Sequence, residues 1–265
     1  MIKVDGALVE FETFPNGETR VCPFDLVLGP SFVIVEFKYE NDADLIKLMF
    51  VKRYLEEKTY LNIHLLIAYM PYSRQDRVEG KSVFTLKYIT DFINSLKFTS
   101  VAINEPHSDV APALLNRCTA EYPIGHIQNA MDASKFDRTN DYLLFPDAGA
   151  QKRYAGKFNG FKQLVGYKHR NFSTGKIDSM NVIGDIDSEN FKVIIIDDLC
   201  SYGGTFVMAT EQLKKLGASE VYLAVTHCEH SILKGKLLDS IDAVFTTNTI
   251  INPGVHQKIN VEELV

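Results

Sequence analysis

The chain has 265 residues, with 28 Lys plus Arg against 34 Asp plus Glu and a formal net charge of -6. That length supports one large domain or two small ones, and the acidic balance disfavours general binding to nucleic acid or an anionic membrane, so any polyanion site must be a local concentration of positive charge. Hydrophobic residues at 46% and charged residues at 23% fit a soluble globular protein, no apolar run is long enough to span a bilayer, and MIKVDGALVEF has no signal-peptide layout. The four cysteines, Cys22, Cys118, Cys200 and Cys228, lack metal-ligand spacing and are expected to be reduced thiols of a cytoplasmic protein.

In chain order, ALVEFETF, then Pro15-Asn16-Gly17, then ETRVCPF reads as a hairpin turning at Asn16-Gly17. FVIVEF (Phe32 to Phe37) is strand-like, and Asp42 to Glu57 has apolar residues at helical spacing. NIHLLIAYM (Asn62 to Met70) is a continuous apolar run, as in a buried parallel strand. Val83 to Leu96 reads as a helix and SVAINEP (Ser100 to Pro106) as a strand. The rhythm then repeats. DYLLFPD is a strand, QKRYAGKF a helix, KVIIIDD a strand, TFVMATEQLKKLGA a helix ended by Gly217, and EVYLAVTHC a strand. Such alternation predicts an α/β fold with mostly parallel sheets covered on both faces. The series restarts near Tyr122 to Gly125, which divides the chain into domains at 1–124 and 125–265.

The segment VIIIDDLCSYGGT (Val193 to Thr205) carries the strongest chemical signal. A buried strand ends in Asp197 and Asp198, and a short loop with Ser201, Tyr202, Gly203, Gly204 and Thr205 leads into a helix. Ligands of open α/β sheets sit at the carboxyl ends of strands. Glycines let backbone N–H groups approach a phosphate, and a helix N-terminus favours anions. Adjacent carboxylates suit vicinal ribose hydroxyls, alone or through magnesium. Pro71-Tyr72-Ser73-Arg74-Gln75-Asp76-Arg77 follows another apolar strand. Its guanidinium groups suit phosphates and Gln75 a base edge, although taken alone the string reads equally well as a solvated, self-paired charge cluster. His107 and Asp147 each follow a strand. Between Ala148 and Ile177 there is no Asp or Glu, while Lys152, Arg153, Lys157, Lys162, Lys168, Arg170 and Lys176 fall there. Such a cationic excess suits polyphosphate transfer, in which charge spreads over phosphoryl oxygens. The segment NFSTGK after Arg170 reads as a flexible loop able to close over a nucleotide.

These motifs, in this order, resemble the ribose-phosphate diphosphokinase (PRPP synthetase) family over roughly residues 10 to 255. The matching elements are Phe14-Pro15-Asn16-Gly17-Glu18, Arg74 to Arg77, Asn104 to Ser108, Phe145 to Gly149, Lys168-His169-Arg170 and Asp197 to Thr205. The resemblance implies two phosphoribosyltransferase-like domains plus the N-terminal hairpin. It implies an ATP site made of Phe14, Asn16, Glu18, Arg74, Gln75, Asp76, Arg77 and His107. It implies a ribose-phosphate site made of Asp147, Asp197, Asp198, Ser201, Tyr202, Gly203, Gly204 and Thr205. Lys168 and Arg170 become the catalytic pair, and His107 and Asp147 the neighbours of Mg2+. The expected partners are ATP and a phosphorylated ribose, in a homo-oligomer. From the residues alone, Phe14 reads more readily as a turn-flanking aromatic, and Asn16 equally well as a turn residue.

The pattern departs from the family at the loop, where an acidic residue becomes Ser201 and a threonine becomes Tyr202. Bulk at Tyr202 suits a substituted 5-phosphate such as that of ADP-ribose, an acceptor in NAD synthesis, beside ribose 5-phosphate. The family's first strand–helix unit and closing helix have no counterpart. A phosphoribosyltransferase has no need of a second nucleotide site, and an inactive synthetase-associated regulator has no need to keep Lys168, Arg170, Asp147 and His107.

Overall fold

The computed structural model describes residues 1–22, 32–58, 62–170 and 177–265, with the side chains of 168–170 and 177–179 outside the description. The chain forms two compact units, Met1–Tyr122 and Pro123–Leu264.

The first unit runs β1 (Ile2–Val4), β2 (Ala7–Leu8), β3 (Phe11–Thr13), β4 (Thr19–Val21), β5 (Phe32–Phe37), α1 (Ala43–Lys58), β6 (Asn62–Ile67), α2 (Thr85–Ser95), β7 (Ser100–Asn104), α3 (Val110–Leu114) and β8 (Cys118–Glu121). Its sheet has the order β2-β1-β5-β6-β7-β8. Strands β5 to β8 are parallel, and β1 joins β5 antiparallel. The hairpin is shorter than the sequence pattern predicts. Ala7–Leu8 pairs with β1, and only Phe11–Thr13 and Thr19–Val21 form the separate two-stranded ribbon.

The stripe Leu45, Leu48, Val51 and Leu55 recurs every three or four residues and buries α1 against Val33, Val35, Phe37, Ile63, Leu65 and Ile67. The continuous apolar run at β6 predicts burial on both faces, yet β5 and β6 alternate buried and partly exposed side chains. The core of this unit lies on one face of its sheet. Phe32, Ile34, His64 and Leu66 line a shallow pocket on the other. Hydrophobicity alone did not distinguish these cases, because Ile34 and Leu66 are as apolar as the residues buried beneath α1.

The second unit runs α4 (Gly125–Ser134), β9 (Tyr142–Phe145), α5 (Ala148–Tyr154), β10 (Lys162–Arg170), β11 (Ile177–Ile183), β12 (Lys192–Cys200), α6 (Gly204–Lys215), β13 (Glu220–Cys228), α7 (Leu237–Ser240), β14 (Ala243–Thr247) and β15 (Ile259–Glu262). The sheet order is β11-β10-β9-β12-β13-β14-β15, and only β11 runs antiparallel to its neighbour. This sheet is buried on both faces. Val193, Ile195, Leu223 and Val225 pack with Phe206, Leu213 and Leu237, while Ile194, Ile196, Leu143 and Phe145 pack with Ile127, Met131, Ala150 and Tyr154. Helix α6 stops before Gly217, whose φ of +100° suits the residue past a helix end. The segment Gln151 to Phe158, expected as one helix, is the end of α5 followed by a 3-10 turn over Ala155–Phe158.

Strand β10 touches the residue ahead of Asp147. A Cβ on Gly166 would fall 2.7 Å from the Pro146 carbonyl oxygen and against the Met180 methyl. Gly166→Ala is therefore expected to destabilise the protein by about 1–3 kcal/mol through overpacking against backbone. Thermal denaturation followed by circular dichroism checks this, and an unchanged midpoint would show that β9 and β10 can separate at no cost.

Candidate active site

In the first unit the turn of the β3–β4 ribbon is built as the sequence requires. Gly17 has φ of +89°, the Asn16 side chain accepts a hydrogen bond from the Glu18 amide at 3.2 Å, and the Phe14 amide donates to the Glu18 carbonyl at 2.8 Å. Asn16 therefore acts as a turn residue. Phe14 is 46% exposed, with the Arg20 guanidinium over its ring 5.8 Å from the centre.

The loop carrying Arg74 to Arg77 leaves β6, and the loop carrying His107 leaves the neighbouring parallel strand β7. Parallel pairing brings both loops to the carboxyl edge. The Ser108 hydroxyl donates to the Asp76 carboxylate at 2.6 Å and ties them together. Asp76 thus holds a loop in place, while Arg74, Gln75 and Arg77 are exposed and His107 is half-buried. Ahead of the motif, Tyr72 adopts φ of +60°, and its hydroxyl donates to Asp42, which also accepts from Tyr39 at 2.6 Å. Tyr72 and Ser108 stand inside the motifs and Asp42 outside them, yet sequence alone assigns none of the three a role, because their roles are contacts between segments distant in the chain.

In the second unit, β9 and β12 are neighbouring parallel strands; Asp147 follows the end of β9 at Phe145, and Asp197-Asp198 lie in the last residues of β12 before Cys200. Asp147 is the N-cap of α5, accepting from the Ala150 amide at 3.0 Å. Burial pushes the Asp197 carboxyl well above the ordinary carboxylate range, and the neighbouring Asp198 and then Asp147 push it further. Arg153, on the last turn of α5, lies 3.4 Å from Asp198. It belongs to the acid-free stretch, but only the fold singles it out from Lys152 and Lys157. Lys162 is different: its ammonium pairs with Asp187 at 2.6 Å, at the start of β10, and takes part in a structural contact.

Strand β12 continues past the two aspartates to Cys200, so the loop itself is only Ser201 to Gly203 before α6 begins at Gly204. Gly203 is the helix N-cap with φ of +81°, and a Cβ there would lie 2.8 Å from Leu237. Gly204 has open space around it, as close approach of an anion to backbone N–H groups requires. Tyr202 is 59% exposed. Ser201 and Thr205 are half-buried.

Lys168 and Arg170 lie on the backbone of β10, where a bulge falls between His169 and Arg170. Their side chains, and the segment Asn171 to Lys176, are outside the described residues. Among the described residues no three His, Cys, Asp or Glu side chains are arranged to hold a metal by themselves. The hard oxygen donors Asp147 and Asp197 still fit a magnesium ion that completes its shell with water and substrate phosphates, since that ion is usually held by one or two carboxylates. All four cysteines are free thiols, and no helix among the described residues is long and apolar enough to cross a membrane.

Comparison with known proteins gives a consistent picture. Residues 1–96 match the family model described as the N-terminal domain of ribose phosphate pyrophosphokinase, and residues 169–264 match the phosphoribosyl synthetase-associated domain. A ribose-phosphate pyrophosphokinase of Pyrococcus furiosus is 30% identical over 260 residues, covering 92% of this chain and 87% of that protein. One from Sulfolobus acidocaldarius is 28% identical over 253 residues, covering 91% and 84%. The crystal structure of phosphoribosylpyrophosphate synthetase from Mycobacterium smegmatis superposes with a TM-score of 0.75 at 20% identity, covering 97% of this chain and 86% of that one, a likeness of fold.

The crowded carboxylates make a thermodynamic prediction. A carboxyl whose folded pKa is raised stabilises the fold while protonated, at low pH, and that contribution is lost as pH rises through the folded value. Asp197→Asn keeps an acceptor for the Asp198 amide, now 2.9 Å from Asp197, and removes the charge. The variant without ligands should melt a few degrees above wild type at pH 8, with the gain shrinking towards pH 4. Equal melting temperatures across that range would mean that Asp197 is not crowded.

Proposed function

This chain belongs to the ribose-phosphate pyrophosphokinase family, a family of transferases, and on that premise we propose that it transfers the β,γ-diphosphate of ATP to the anomeric hydroxyl of ribose 5-phosphate. The carrying observation is the end of β12, where Asp197 and Asp198 are followed by Leu199 and Cys200 and then by a three-residue loop and the N-terminus of α6. Carboxylates suit the vicinal hydroxyls of the sugar, and the amides around Gly203, Gly204 and Thr205 suit its phosphate. On the other unit, the exposed Arg74, Gln75 and Arg77 beside His107, with the exposed Phe14 ring on the hairpin, supply phosphate, base-edge and stacking contacts for ATP.

In the reaction the anomeric oxygen attacks the β-phosphorus, the bond from that phosphorus to the oxygen bridging it to the α-phosphorus breaks, AMP leaves, and the hydroxyl proton passes to solvent. A magnesium ion held at Asp147 would supply neutralisation of phosphoryl charge. Lys168 and Arg170 stabilise the transferring group. Asp76 and Ser108 keep the nucleotide loops in register.

Lys168→Ala and Arg170→Ala should each lower turnover by about 10²-fold or more while changing the KM for ATP little, since positioned cations act chiefly on the transition state. AMP release at saturating substrates measures this. Near wild-type turnover in either variant would remove that residue from catalysis.

A second reading makes ADP-ribose the acceptor. It rests on Tyr202, a large and well-exposed ring in the loop ahead of α6, where a stacked substituent would gain area that a bare phosphate does not use. Ser201→Asp combined with Tyr202→Thr should then shift the ratio of specificity constants towards ribose 5-phosphate. An unchanged ratio would show that these positions do not select the acceptor.

A further inference from the structure

The loop after β12 is backed by the segment that follows β13. The Glu229 amide donates to the Cys200 carbonyl at 2.8 Å, which fixes Glu229 beside the start of the loop. A 3-10 turn over His230–Lys234 then carries Ser231. Gly235 presses against the Tyr202 carbonyl so closely that no Cβ fits there, and Leu237 fills the space behind Gly203. This packing holds a chain of three polar groups. The Ser231 hydroxyl donates to Glu229 Oε2 at 3.1 Å, and the Ser231 and Ser201 hydroxyl oxygens are 3.1 Å apart.

The polarity of this chain follows from counting hydrogens. A carboxylate only accepts, and each serine hydroxyl has one hydrogen to give. Ser231 gives its hydrogen to Glu229. The contact between the serines therefore requires Ser201 to donate, and Ser201 is left with lone pairs and no hydrogen to give. A phosphate oxygen also has no hydrogen and gains nothing from such a group, whereas a hydroxyl gains an acceptor.

Building on the acceptor site proposed above, we propose that Glu229 and Ser231 are positioning residues that hold Ser201 as a hydrogen-bond acceptor for a hydroxyl of the acceptor sugar. The sugar phosphate is then left to the backbone amides at the start of α6. Ser201 discriminates between sugars that carry that hydroxyl and sugars that lack it, and Glu229 sets this preference without touching substrate.

The test compares ribose 5-phosphate with its 2-deoxy and 3-deoxy analogues as acceptors, reading AMP release as kcat/KM. Wild type should favour ribose 5-phosphate over one analogue by about tenfold or more, the scale on which a site built for a hydroxyl rejects its absence. Ser201→Ala and Ser231→Ala should each narrow that gap to a few-fold, through the KM for the sugar, with the KM for ATP within about twofold of wild type. Ser231→Thr, which keeps the hydroxyl, should restore the gap. Should Ser231→Ala melt below the assay temperature, Ser201→Ala reads the same gap from the other end of the chain. An undiminished gap in the alanine variants, or equal use of all three sugars by wild type, would overturn the proposal while leaving the acceptor reading standing. Absence of AMP release with every sugar would overturn both.

Discussion

Crowding of carboxylates at the carboxyl edge of the second sheet is the constraint around which that unit is organised. Asp197 and Asp198 lie near the end of one strand and Asp147 just past the end of the next, and burial leaves Asp197 reluctant to ionise. Without ligand this arrangement costs stability. It persists because both faces of the sheet are filled, so that β12, with Ile194 and Ile196 on one side and Val193 and Ile195 on the other, has no freedom to withdraw its end. Two local devices limit the cost. Asp147 spends one oxygen on capping α5, and Arg153 from the end of that helix approaches Asp198. The remaining negative potential suits a magnesium–phosphate substrate, which would neutralise it on binding.

Much of this was legible in the sequence, for physical reasons that can be named. Strands buried on both faces read as unbroken aliphatic runs, and the abrupt change from Ile196 to Asp197 marks the approach of β12 to its carboxyl end. The glycines at 203 and 217 mark the start and end of α6 because each stands at a positive φ. What failed was quantitative. The strand continues to Cys200 because Leu199 and Cys200 pair with His227 and Cys228 across the sheet, a pairing that local composition does not reveal. The opposite error occurred at Ala7–Leu8, assigned to the hairpin on the strength of its alternation but captured by β1.

The candidate site shows the same division. Residue type and strand-end position were enough to nominate Asp147, Asp198 and His107. They were not enough to separate ligand contacts from supports. Asp76 sits between two exposed residues of one short motif and is chemically as fit for a ligand as they are, yet its carboxylate is taken by Ser108, thirty-two residues later. Lys162 lies in the same acid-free stretch as Arg153, but it starts β10, where it pairs with Asp187 and rests 5.2 Å from the Tyr142 ring, whereas Arg153 ends a helix that begins at the carboxylates. Only the direction in which a strand or helix runs decides which cation reaches the site.

The two units solve one structural problem in parallel ways. A loop leaving the end of a strand must be specific in shape while its backbone groups stay open to ligand, so it cannot be held by its own main chain alone. In the first unit the Arg74–Arg77 loop is held from the neighbouring strand by Ser108 through Asp76, and from the chain after β5 by Asp42 through Tyr72. In the second, the Ser201–Gly203 loop is held from the end of β13 by Ser231 and Glu229. Each tie pairs a hydroxyl with a carboxylate, and each carboxylate can only accept. The direction of every hydrogen in the chain is thereby set, and with it which polar atoms remain for the ligand. Replacing the carboxylate by an amide would conserve size and remove that direction, so the negative charge in these ties acts on orientation as much as on binding strength.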